Sequence, residues 1–127
     1  MSSSNESIIA EYFSSIRAMD TERLMKTFAT RAELHDPVGT PAKRGSEEIR
    51  TFFTQTFASF KLVNLTEEHV YACGSSVAVK WVGKAVGPSG KSCDFAGIDT
   101  FECAEDGKIA TVRAFWDTQP VMALLES

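Results

Sequence analysis

Residues 92–103 read SCDFAGIDTFEC. Side chains of a β-strand alternate with a period of two, so as a strand this stretch puts Cys93, Phe95, Gly97, Asp99, Phe101 and Cys103 on one face. Every member of that face is apolar or small except Asp99. The opposite face, Asp94, Ala96, Ile98, Thr100 and Glu102, carries most of the polar groups. An ionised carboxylate among Phe and Cys side chains is expensive to desolvate. Asp99 is therefore expected to stay protonated or to find a partner. The plainer alternative is a wetted Asp at the mouth of a sheet.

The strand pattern extends on both sides of this stretch. Upstream, residues 62–66 and 69–73 form one long or bent strand, and Gly74-Ser75 turns the chain into a strand opened by Val77, Val79 and Trp81. GPSG, residues 87–90, is a turn by composition. Downstream, Glu105-Asp106-Gly107 turns into a last strand over 109–116. There Val112, Ala114 and Trp116 share one face, and Thr111, Arg113 and Phe115 the other.

Before Phe60 the period is helical. Ile8, Ile9, Tyr12, Phe13 and Ile16 make one stripe over residues 5–19, with Ser3 or Ser4 available as a cap. Asp20 caps a short second helix carrying Leu24, Met25 and Phe28 at helical spacing. A brief strand at 33–36 ends at Pro37 and Gly39. In it Leu34 and Asp36 share one face, Glu33 and His35 the other, and Pro37 holds Asp36 in an extended conformation. The loop TPAKR leads to a third helix from near Ser46, whose stripe is Ile49, Phe52, Phe53, Phe57 and Phe60. Taken alone, Tyr12 reads first as a core aromatic whose hydroxyl reaches the edge, and Asp36 alone reads also as a turn-initiating residue.

Three helices followed by an antiparallel meander make an α+β arrangement. Helices on one face of a strongly bent sheet form a cone, whose buried face carries Tyr12, Asp36, Asp99 and Trp116. The 127 residues, 43% hydrophobic, fit one domain spanning 1–127. A net charge of -4 without a Lys/Arg cluster argues against nucleic acid. No apolar run approaches the roughly 20 residues of a membrane span. The start, MSSSNES, lacks the features of a secretory leader, so a cytoplasmic, reduced protein is expected. Cys93 and Cys103 share a strand face roughly 33 Å apart, too far for a disulfide. His35 and His69 stand in unlike contexts and predict no metal site. No triad, Walker, dinucleotide, C-x-x-C or H-E-x-x-H motif occurs, so no cofactor is expected.

What remains is a pair of carboxylates and a phenol directed into an apolar hollow. That set suits proton abstraction next to a carbonyl. An ionised carboxylate takes the proton, while a neutral one and the Tyr hydroxyl donate hydrogen bonds to the oxyanion.

The sequence here resembles the ketosteroid isomerase family. HDPVGTPAKRGSEEIRTFF is similar to that family's D-P-[VF]-G stretch and third helix, and IIAEYFSSI to its first helix. AGIDTFEC resembles its oxyanion strand and IATVRAFWD its last strand, so the likeness runs from about Ile8 to Asp117. The resemblance implies a nuclear-transport-factor-2-like cone and a homodimer formed across the sheet. It implies Asp36 as the base that shuttles the proton, and Tyr12 with a protonated Asp99 as the oxyanion hole. Trp116 would line the pocket of a small apolar ketone, with Phe28, Phe53, Phe57, Phe101, Val112 and Ala114 as further walls. Phe28 and Phe53 stand where many bacterial isomerases carry tyrosines backing the oxyanion hole, a departure that bears on efficiency and substrate. Two other classes stay open: another enzyme of the same cone, polyketide-cyclase-like or epoxide-hydrolase-like, and a non-catalytic ligand-binding module. The epoxide hydrolases need an Arg bridging two carboxylates, and Arg113 faces the wrong way by parity.

Overall fold

Helix spacing and strand alternation account for most of the architecture. The structure is a computed structural model describing residues 2–126, with side chains described from residue 5. Helix α1 (Ser2–Arg17) buries Ile9, Tyr12, Phe13 and Ile16, the stripe that the spacing predicts. The cap expected from Ser3 or Ser4 rests on side chains outside the described ones. Helix α2 (Thr21–Met25) starts at Asp20, whose carboxylate accepts the Arg23 amide at 3.0 Å.

Phe28 does not continue α2. It opens strand β1 (Phe28–His35), five residues earlier than the expected start. The backbone of β1 slips register between Phe28 and Glu33, which breaks the two-residue period and hides this part of the strand from sequence reading. Asp36 follows directly, across a cis bond to Pro37. Lys43 and Arg44, expected as loop, form a short strand β2 (Lys43–Arg44) that pairs antiparallel with β1. Helix α3 (Gly45–Ser59) then carries the phenylalanine stripe.

Four strands complete the sheet: β3 (Leu62–Cys73), β4 (Ser76–Val86), β5 (Ser92–Cys103) and β6 (Ile109–Trp116). The bend expected in β3 is a bulge between Glu67 and His69. A fourth helix, α4 (Gln119–Ala123), was not expected: five residues are too few to show a stripe. The sheet order is β2-β1-β6-β5-β4-β3, with β1 and β6 parallel and all other neighbours antiparallel. The result is an α+β fold with a curled six-stranded sheet.

Helix α1 lies against β3 and α3 against β1. Between them the core holds Phe13, Leu24, Leu34, Ile49, Val79 and Ile109 among others. Arg17 ties the end of α1 to the Leu65 carbonyl and Glu67 of β3, and Arg50 ties α3 to Glu22 of α2. Such exposed pairs contribute at most about 1 kcal/mol each, so the apolar core sets the helix positions. No helix among the described residues is long and apolar enough to cross a membrane.

Candidate active site

The concave face of the sheet and the helices enclose a cavity of about 490 Å³, within the roughly 300–1,000 Å³ range of small-molecule sites. Asp99 reaches it from β5. Burial alternates along β5 as the parity predicts: Asp99 and Phe101 point inward, and Ile98 points to solvent. Asp99 is 2% exposed, and its Oδ1 accepts the indole N–H of Trp81 at 2.9 Å. Burial and the nearby charge of Asp36 push its pKa well above the ordinary value, and the indole N–H pulls the other way. A hydrogen bond to a charged group contributes about 1.5–3 kcal/mol, whereas burying an ion costs several kcal/mol. Desolvation outweighs the indole bond, so the surroundings favour the protonated form of Asp99.

Asp36 reaches the cavity from the end of β1. Its Oδ1 accepts the indole N–H of Trp116 at 2.8 Å. Burial raises its pKa too, but the Trp116 hydrogen bond and the charge of Lys43 both oppose the shift. The two carboxyls thus share one kind of partner and differ in their neighbouring charge. Asp36 has a cation at hand and Asp99 has an anion. The ionised form is therefore less disfavoured at Asp36 than at Asp99.

Tyr12 lines the same cavity from α1 and is 1% exposed. Its ring meets Phe13, Phe28 and Phe101 edge-on, with centroids 5.2, 5.9 and 5.1 Å away. Burial first, then the charges of Asp99 and Asp36, push its phenol pKa well up, so it remains a donor.

Gly97 sits between the two tryptophans. It is the cross-strand partner of Trp81 on one side and of Trp116 on the other. A Cβ at this position would stand 2.5 Å from Cζ2 of Trp81 and 2.9 Å from Cβ of Trp116. Only a residue without a side chain lets both indoles lie there.

Of the residues expected from sequence, Tyr12, Asp36, Asp99, Phe53, Phe57, Ala114 and Trp116 line the cavity. Phe28, Phe101 and Val112 do not. They share the inward face but lie at the closed end, where the core that includes Tyr12 and Phe13 fills the space. Phe28 and Phe101 hold the Tyr12 ring instead of meeting a ligand. Arg113 is exposed on the outer face, and the cation on the cavity wall is Lys43, with Nζ 4.6 Å above the Phe52 ring. Among the described residues no cluster suited to a metal ion exists.

Sequence reasoning missed Trp81, Lys43 and the α4 end of the cavity, where Val121, Met122 and Leu125 complete the wall. Trp81 was findable. Equal steps back from the GPSG turn bring it to within one residue of facing Gly97.

The family profile of the SnoaL-like domain matches residues 9–112, most of the chain and all three polar groups of the cavity. The protein belongs to the SnoaL-like family. Among solved structures, the chain is similar to SalBIII, an epoxide hydrolase/cyclase-like enzyme described for its role in pyran ring formation in the polyether salinomycin. The two are 27% identical with a TM-score of 0.82, over 91% of this chain and 92% of that one. A protein from Xanthomonas campestris pv. campestris with the provisional name polyketide cyclase shares the fold. It is 18% identical with a TM-score of 0.87, over 98% of both chains. Both solved structures share the fold of this SnoaL-like protein.

Proposed function

We propose that the protein is a cofactor-independent isomerase that moves a double bond into conjugation with a ketone through a dienolate. The observation that carries this reading is two carboxyls with unlike neighbouring charges, Lys43 beside Asp36 and Asp36 beside Asp99, facing one apolar cavity together with a buried phenol. Ionised Asp36 takes the proton from the carbon between the carbonyl and the double bond. The C–H electrons move into the dienolate, and its negative charge gathers on the ketone oxygen. Tyr12 and protonated Asp99 donate hydrogen bonds to that oxygen. Asp36 then returns the proton to the far carbon of the dienolate, and the enzyme is restored. Phe53, Phe57 and Ala114 face the flat apolar body of the substrate.

The test follows the ultraviolet absorbance of 5-androstene-3,17-dione as it becomes the conjugated enone. Wild type is expected to turn it over, and Asp36→Asn to lose about 100-fold or more in turnover. Turnover of Asp36→Asn within about tenfold of wild type, roughly 1.4 kcal/mol, would remove Asp36 as the base.

A second reading is ring closure by proton transfer, and the likeness to SalBIII favours it. There Asp36 would take the proton from a hydroxyl as its oxygen closes a ring on an unsaturated ketone, and Asp99 would protonate the developing enolate. A hydroxy-enone that cyclises, while the steroid is left untouched, would select this reading.

A further inference from the structure

We propose that Trp81 is the positioning residue for the acid. Its indole N–H fixes Oδ1 of Asp99 as the acceptor and leaves Oδ2 to present the proton to the cavity. The proposal rests on Asp99 serving as a donor, as in the reading above. A neutral carboxyl has one O–H and one carbonyl-type oxygen, and an indole N–H can only donate. The carbonyl-type oxygen is the better acceptor, so the 2.9 Å bond from Trp81 decides which oxygen carries the proton.

The donor itself cannot swing away. Trp81 is 1% exposed, its Cζ2 lies where a side chain on Gly97 would be, and Phe95 meets the ring edge-on at 5.3 Å. Without Trp81, the carboxyl of Asp99 could rotate and place its proton on either oxygen. The groups around Asp99 provide no substitute. Tyr12 faces it from α1, Asp36 from the end of β1, and its cross-strand partners are Val79 on β4 and Ala114 on β6. Lys43 of β2 acts on Asp36, and the α3 residues Phe53 and Phe57 carry no titratable group.

Trp81→Phe keeps an aromatic ring and removes the N–H. The measurement is the titration of the Asp99 13Cγ resonance, assigned with Asp99→Asn, alongside binding of the phenolic steroid equilenin as an enolate mimic. The Asp99 midpoint should move upward, because a donor that favours the ionised form is gone. Affinity for equilenin should fall by about fivefold or more, since the acid no longer points at the phenol oxygen. An unmoved midpoint or an unchanged affinity overturns the proposal.

If circular dichroism shows that the variant does not fold, wild type carries the test. The indole 1H–15N resonance of Trp81, told from that of Trp116 by Trp116→Phe, should titrate with the Asp99 midpoint. A flat resonance overturns the proposal. If the midpoint and affinity move as stated while wild type leaves 5-androstene-3,17-dione unchanged, the isomerase reading falls and the positioning of Asp99 stands.

Discussion

Asp36 and Asp99 each receive one indole N–H, yet one is read as the base and the other as the acid. Lys43 beside the first and Asp36 beside the second make that difference. With Asp99 as the proposed donor, Asp99→Asn should bind equilenin about as well as wild type, while Asp99→Leu, with no donor, should bind it at least tenfold more weakly by fluorescence titration. Equal affinity of the two variants would take Asp99 out of the oxyanion hole. The same residue leaves a mark on stability. Its folded pKa lies above the unfolded value of about 3.9, so its contribution is full below that pH and is lost as pH rises through the folded pKa. Asp99→Asn should therefore gain in melting temperature relative to wild type as pH rises above about 4. A constant difference across pH would contradict the buried neutral acid. Both carboxyls were legible in the sequence because alternation alone placed them among apolar neighbours. Trp116 was placed on the same face by parity, but the two indole hydrogen bonds were not legible, since a bond between strands depends on register, which a bulge or a turn residue can shift by one.

Short elements carry the parts of the site that sequence periodicity could not reach. Strand β2 has two residues and α4 has five, so neither repeats often enough to show a pattern. Yet β2 holds Lys43 in the cavity wall by pairing it with Leu34, two residues before Asp36. Lys43 favours the ionised form of Asp36. Lys43→Met should raise the pKa of the base and move the acidic limb of the pH–rate profile to higher pH. An acidic limb that stays in place would mean that Lys43 does not act on Asp36. The longer elements α1, α3 and β3 to β6 were legible because each spans several periods of its own pattern. The early half of β1 was not, because its register slip replaces alternation with two exposed polar residues, Thr30 and Arg31.

The outer face of the curled sheet carries the apolar surface that the inner face does not need. Ile98 and Phe115 are direct cross-strand partners on it, 47% and 46% exposed, and Val82 lies on the same face. We propose a second copy of the chain as the cover, as the isomerase resemblance implies. Sedimentation should find a dimer at micromolar concentration, and Ile98→Lys should shift it to monomer by placing a charge in the contact. A monomeric wild type would leave this face without a partner of its own kind. The cone and its cavity were legible at this scale because three helices followed by a meander have few ways to bury their stripes. The closing of the cavity by the C-terminal helix was not, since its wall residues Val121, Met122 and Leu125 lie beyond the last strand.

The bare backbone at Gly97 ties together three positions that are far apart in the chain. A larger residue there would meet the Phe115 carbonyl and the Trp116 Cβ as well as the Trp81 indole, so exchanging one tryptophan alone makes no room for it. Gly97 should therefore be inherited even by descendants that have replaced Trp81 or Trp116. Descendants that have parted with either tryptophan lose the partner of one carboxyl, and they mark where the chemistry of this cavity was free to diverge.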